Sequence, residues 1–209
     1  MTASVITPMF LLASAAITLS PGPDILYVLA KGISQGRQPA LIAAAGFASG
    51  LSVHTTMAVV GLSALLMASA VGFTVVKFAG GAYLVYLGIR ASMSGGLVSL
   101  PASGEPMTGK RIFAQAFAMN ILNPKVAVFF LAFLPQFTRP DQGNISIQLM
   151  LLGIAFAVVA LIIFSLVGVF SATLGAWIRS KPRGLRAFDF VIGSLFIGLG
   201  VRLALASNK

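Results

Sequence analysis

Leu19-Ser20-Pro21-Gly22-Pro23-Asp24 interrupts an apolar run that extends from residue 5 to residue 30. Two prolines bracketing a glycine remove backbone donors and cannot continue an ideal helix, and Asp24 is one of only four acidic residues among 209. A carboxylate inside an apolar span is costly enough to mark a functional position. A second break, Asn123-Pro124-Lys125, lies in another apolar run.

Those runs set the class of the protein. Hydrophobic residues make up 58% of the chain and charged residues 9%, with a mean hydropathy of +0.99, whereas an average soluble domain is about 25% charged. Apolar stretches of about 20 residues recur, long enough as helices to cross about 30 Å of hydrocarbon; a transmembrane barrel shows instead alternating segments of about 10 residues. The net charge of +10 comes from lysines and arginines scattered between apolar segments. They form no basic face for nucleic acid and read as topology signals. Without cysteine the chain has no disulfide, thiolate metal site or cysteine nucleophile. Residues 1–8 contain no Lys or Arg, which argues against a cleaved signal peptide despite the Ala13-Ser14-Ala15 triplet.

Charges and turn residues predict six spans, near residues 5–30, 39–68, 72–90, 112–137, 146–177 and 187–205, with a five-span alternative because the second and third are separated only weakly near residues 69–72. The connection over residues 91–109, rich in Ser, Gly and Pro, divides them three and three and reads as a flexible linker. Residues 81–90, G-A-Y-L-V-Y-L-G-I-R, match residues 193–202, G-S-L-F-I-G-L-G-V-R, in the register of Gly, Leu, Gly and Arg. The expected architecture is an all-α polytopic membrane protein in one transmembrane domain, with residues 1–90 as first repeat, 91–111 as cytoplasmic linker and 112–209 as second repeat. An odd number of spans per half inverts the second repeat on the first, an arrangement found in secondary transporters. The broken first helix then corresponds to the broken fourth. Nine basic residues (Lys31, Arg37, Arg90, Lys110, Arg111, Arg179, Lys181, Arg183 and Arg186) fall on one side and four (Lys77, Arg139, Arg202 and Lys209) on the other, which predicts both termini outside the cytoplasm.

An unwound helix in a membrane leaves N–H and C=O groups that protein, water or a solute must satisfy, so Pro21, Gly22, Pro23 and Asp24, with Asn120, Asn123, Pro124 and Lys125, form the candidate binding site. A helix restarting after proline offers free N–H groups suited to a carboxylate. Asp24 can hold an ammonium or a proton, Lys125 supplies a cation, and Asn120 and Asn123, three residues apart, are expected on one helical face. The expected ligand is a small solute carrying both charges, such as an amino acid. The competing reading makes the breaks packing kinks and Asp24–Lys125 a structural ion pair. His54, the single histidine, reads as an interhelical hydrogen bonder with proton coupling as the alternative. Gly80-Gly81 and the Gly46/Gly50 pair read as helix-packing positions, Lys77 as snorkelling to the interface, and Trp177 as an interfacial anchor.

The ordered set Leu19-Ser20-Pro21-Gly22-Pro23-Asp24, Gly32-Ile33-Ser34-Gln35-Gly36-Arg37, His54, Gly81-Ala82-Tyr83-Leu84-Val85-Tyr86-Leu87-Gly88, Asn120-Ile121-Leu122-Asn123-Pro124-Lys125 and Phe130-Leu131-Ala132-Phe133-Leu134-Pro135-Gln136-Phe137 resembles the lysine exporter (LysE) and homoserine/threonine resistance (RhtB) family along nearly the whole chain. The resemblance implies a bacterial inner-membrane exporter of amino acids or their derivatives, without a cofactor and driven by proton exchange, with the two proline-centred motifs as its core. The acidic residue after Pro-Gly-Pro is closer to the homoserine/threonine type than to the basic amino-acid exporters. Self-association into a homo-oligomer is left open. Two other functions fit the residues less well. An intramembrane enzyme lacks a Ser–His pairing, since Ser52 and His54 point apart on a helix. Export of an inorganic cation would need several oxygen ligands where the spans supply one internal carboxylate.

Overall fold

The structure, a computed structural model, describes residues 5–62, 70–93, 106–171, 173 and 182–205, and all regular secondary structure among them is helical. Helix α1 (Pro8–Leu19) starts where Thr7 Oγ1 accepts the Phe10 N–H at 3.2 Å and Pro8 takes the first helical position. It stops at Ser20 because Pro21 and Pro23 carry no N–H to extend the ladder; Gly22 is fully extended, and α2 (Pro23–Gln35) restarts from Pro23. The bend between α1 and α2 is 61°. Gly36, at φ +92°, ends α2 in a conformation that favours glycine, and α3 (Arg37–Met57) follows at once, closing with a π-helical turn over Ala58–Leu62. Helix α4 spans Ala70–Met93.

The second broken element begins with α5 (Gly109–Ile121) and restarts at Pro124. Its α-helical part, α6 (Pro124–Val128), passes into a π-helical segment, Phe129–Phe133, and a 3-10 turn, Leu134–Phe137. The bend here is 48°. Helix α7 (Ile145–Val169) is capped by Asn144, whose Oδ1 accepts the N–H groups of Ser146 and Ile147, and α8 covers Pro182–Leu205.

Burial runs opposite to that of a water-soluble bundle. On α7 one stripe, Leu149, Leu152, Phe156, Ala160 and Phe164, faces the core, while Met150, Ile154, Val158, Leu161, Ile162 and Leu166 are exposed. Polar Ser14, Thr18, Asp24, His54, Asn120, Asn123, Lys125 and Gln148 lie inside. An apolar outer surface around a polar interior is what hydrocarbon solvent selects. The chain is an all-helical membrane protein; among the described residues two helices are long and apolar enough to span a bilayer, α3 with its π-helical turn and α7, and there are up to four candidate spans when each bent pair is taken as one.

Helix α3 is central, packed against α2, α5 and α7 through its stripe of Ala40, Ala43, Ala44, Gly46, Phe47 and Gly50. A Cβ on Gly46 would lie 2.6 Å from the Phe113 carbonyl of α5, and one on Gly50 would lie 2.8 Å from the Asn120 side chain; both glycines serve close packing, as their spacing predicts. Gly80 likewise packs directly on the Ala132 methyl. Helices α4 and α8 run antiparallel along a glycine seam. A Cβ on Gly88 would lie 2.6 Å from the Gly193 carbonyl, and one on Gly200 would lie 2.6 Å from the Gly81 carbonyl.

Several boundaries move. Helix α2 runs to Gln35, so Lys31, expected in the first connection, sits covered inside a helix, and that connection is Gly36 alone. The body of the expected linker, residues 94–105, lies outside the described residues, as do Trp177 and the side chain of Lys77.

Candidate functional site

Both breaks are built alike. Gly22 and Asn123 are the N-caps of α2 and α6, Pro23 and Pro124 take the first helical positions, and Asp24 and Lys125 the second. The two prolines are exposed and Pro21 half-buried, so their contribution is the interruption itself. Asp24 and Lys125 are buried and face one another, Lys125 Nζ lying 3.5 Å from Asp24 Oδ1, with side-chain exposures of 7% and 3%. Lys125 Nζ also donates to the Ser20 carbonyl at 3.3 Å, one of the acceptors orphaned at the end of α1. Placing a cation there suits the negative end of the helix dipole. Gly22 leaves the space for this pair: a Cβ at that position would lie 2.9 Å from Asp24 Oδ1 and 3.0 Å from Lys125 Nζ.

At the other break, the Asn120 carbonyl accepts the Asn123 N–H at 2.9 Å and lies 3.0 Å from His54 Nε2. A carbonyl oxygen only accepts, so Nε2 carries the proton and donates. His54 thus caps the end of α5 from α3, as Lys125 caps the end of α1 from α6. Asn123 Oδ1 accepts the Lys125 N–H at 3.0 Å. Asn120 and Asn123 do not share one helical face as their spacing predicts: Asn120 ends α5 and Asn123 caps α6, because the backbone turns between them at Leu122. Their side chains nevertheless stay buried. Three polar atoms in this region are buried with no hydrogen-bond partner: Asp24 Oδ1, Asn120 Oδ1 and Asn123 Nδ2. The Asp24 oxygen has its ion pair but no hydrogen bond.

A column of aromatic rings leads away from the site toward the Pro8 end. His54 and Phe130 lie 5.7 Å apart, Phe130 and Phe156 5.3 Å, Phe129 and Phe133 5.0 Å, Phe133 and Phe137 5.2 Å, and Phe137 and Phe10 5.3 Å. Beyond the column is a chamber of about 220 Å³ whose polar lining includes Thr7, Gln136, Arg139 and Arg202. The π-helical register of Phe129–Phe133 aims these rings, and no residue pattern in the sequence announces it. Equally silent is Gln148, which binds Arg139 through both backbone groups, accepting its N–H at 2.8 Å and donating to its carbonyl at 2.9 Å.

Residues 15–207 match the LysE type translocator family. The chain belongs to that family. It is 34% identical over 199 residues to the homoserine/homoserine lactone efflux protein of Salmonella typhi, covering 95% of this chain and 96% of the relative. It is 32% identical over 197 residues to an uncharacterized membrane protein of Vibrio cholerae, covering 94% and 95% of the two chains. No solved structure matches. As a LysE family protein the chain is a translocator and not an enzyme.

Proposed function

We propose that this LysE family protein exports a small amino acid or amino-acid derivative from bacteria, exchanging it for protons by alternating access, with the paired breaks as its binding site. The observation that carries this reading is the trio of buried polar atoms without a hydrogen bond, Asp24 Oδ1, Asn120 Oδ1 and Asn123 Nδ2, on residues that flank the two breaks. Two acceptors and one donor complement an ammonium next to a carbonyl oxygen. Homoserine and its lactone, the solutes in the Salmonella relative's name, both carry that pair of groups, and only homoserine carries a carboxylate. Lys125 then acts as the internal substitute for the solute: its ammonium neutralises Asp24 until a ligand ammonium or a proton replaces it. Asp24 is the coupling residue, and His54, through its remaining ring nitrogen, is the second proton candidate.

The arrangement of contacts supports an inverted repeat of six spans. Exchanging Gly81 with Gly193 and Gly88 with Gly200 turns the contact Gly88–Gly193 into Gly200–Gly81, so the seam between α4 and α8 maps onto itself. The same exchange of halves relates Asp24 to Lys125. Family membership supports placement in the inner membrane, and charge bias supports both termini outside the cytoplasm, which puts the Gln35 end of α2 inside and the Arg139 chamber outside.

The test is efflux of a panel of labelled amino acids, homoserine and its lactone included, from reconstituted vesicles with and without an imposed pH gradient. Gradient-stimulated efflux of small neutral amino acids is expected. Equal rates with and without the gradient would remove proton exchange, and no efflux of any amino acid would remove the substrate class.

A further inference from the structure

Asp24, Tyr27 and Lys31 follow one another at spacings of three and four residues, so they line one face of α2 from the break to the Gln35 end. Lys31 is 9% exposed. Its Nζ donates to the Met107 sulfur at 3.1 Å and lies 5.4 Å from the centre of the Tyr27 ring. A thioether is a weak acceptor. It does not replace the water that a covered ammonium gives up, and an unpaired covered charge costs more than a neutral group. The Arg111 guanidinium adds its own positive potential at Tyr27 and Lys31. Gln35, one turn beyond Lys31, accepts the Met107 N–H at 3.2 Å and leaves its Nε2 buried without a partner. Two side chains that contact Met107 therefore each carry a poorly served donor, one of them fully charged. Among the described residues the one ion pair is Lys125–Asp24, so no carboxylate there serves Lys31.

We propose that Lys31 and Gln35, beneath Met107, form a carboxylate-binding site through which a zwitterionic amino acid reaches Asp24 from the cytoplasm. The proposal rests on the reading of Asp24 as the receptor for the ammonium group. A carboxylate accepts charge-assisted hydrogen bonds from Lys31 Nζ and Gln35 Nε2, with Arg111 attracting it at longer range. Met107 is an unbranched, adaptable side chain, and its weak contact with Lys31 is exchanged for the anion as the solute arrives. Lys31 lies seven positions after Asp24 on α2, about 10 Å along the axis. One α-amino acid does not bridge that distance, so it occupies the two sites in succession, carboxylate first.

Homoserine and homoserine lactone test this directly, because the lactone keeps the ammonium and carbonyl and lacks the carboxylate. In reconstituted vesicles, Lys31→Met is expected to raise the ratio of KM for homoserine to KM for the lactone about tenfold, the worth of one charge-assisted hydrogen bond. Lys31→Arg, which keeps the charge, is expected to hold the ratio within about threefold of the original protein. A Lys31→Met variant that weakens both solutes equally, or neither, overturns the proposal. Binding is read separately as the rise in thermal unfolding temperature that sodium acetate gives over sodium chloride at equal ionic strength, expected in the original protein and absent from Lys31→Met. Glu105 precedes Met107 by two residues in the sequence. An acetate effect absent from the original protein and present in Glu105→Gln means that the cation is already served from within the chain, which also overturns the proposal. If vesicles of the original protein move neither solute, the reading of Asp24 fails, and the acetate experiment alone decides the Lys31 site.

Discussion

Asp24 and Lys125 are both buried, and removing one member of such a pair typically destabilises a protein by about 3–5 kcal/mol, because the other charge is left uncompensated. A structural pair and a transport site therefore predict different outcomes for single and double substitutions. Asp24→Asn is expected to lower stability in detergent and to abolish gradient-driven efflux. Adding Lys125→Met to it is expected to restore most of the stability, read as the denaturant midpoint, without restoring any efflux. Recovery of efflux along with stability would reduce the pair to scaffolding. Gly22 acts at the same scale. Gly22→Ala places a methyl group within about 3 Å of both charged atoms, so it is expected to force them apart and to cut efflux at least tenfold while helix content, measured by circular dichroism, stays unchanged.

At the scale of elements, the seam between α4 and α8 is held by backbone approaching backbone. Gly88→Ala and Gly200→Ala occupy related positions on it and should each destabilise by about 1–3 kcal/mol through overpacking. Near-equal shifts in the unfolding midpoint are expected, whereas Gly61→Ala, where an added methyl group meets nothing among the described residues within 4 Å, is expected to shift it little. Both breaks and this seam were legible in the sequence because their causes are local: proline carries its missing donor with it, and a glycine register survives in the letters of residues 81–90 and 193–202. Lys31 was misplaced because α2 continues to the positive-φ Gly36 instead of ending at the first charge. Its cover by Met107 joins residues 76 positions apart, a distance that helical periodicity does not reach. The shared face expected of Asn120 and Asn123 failed for a related reason. Spacing of three means one face only while the helix lasts, and the break falls between them.

For the whole molecule, topology is open to direct measurement because the chain has no cysteine to remove. Lys110 and Asp141 are exposed at opposite ends of the bundle's broken second element. In intact cells a membrane-impermeant maleimide is expected to label Asp141→Cys and to spare Lys110→Cys until the membrane is opened; the reverse pattern would turn the protein over. The pairing of opposite charges at equivalent positions of the two breaks has an electrical consequence. With Asp24 and Lys125 cancelling one another, the unloaded carrier turns in the membrane without moving net charge through the field, which acts on each uncompensated charge with about 2.3 kcal/mol per 100 mV. A zwitterion leaving against one entering proton, in contrast, carries one positive charge inward per cycle. Under an imposed potassium diffusion potential, exchange of solute for solute is therefore expected to be indifferent to voltage, while net export accelerates when the interior is negative, so a cell's resting potential drives export even where the pH on both sides is equal.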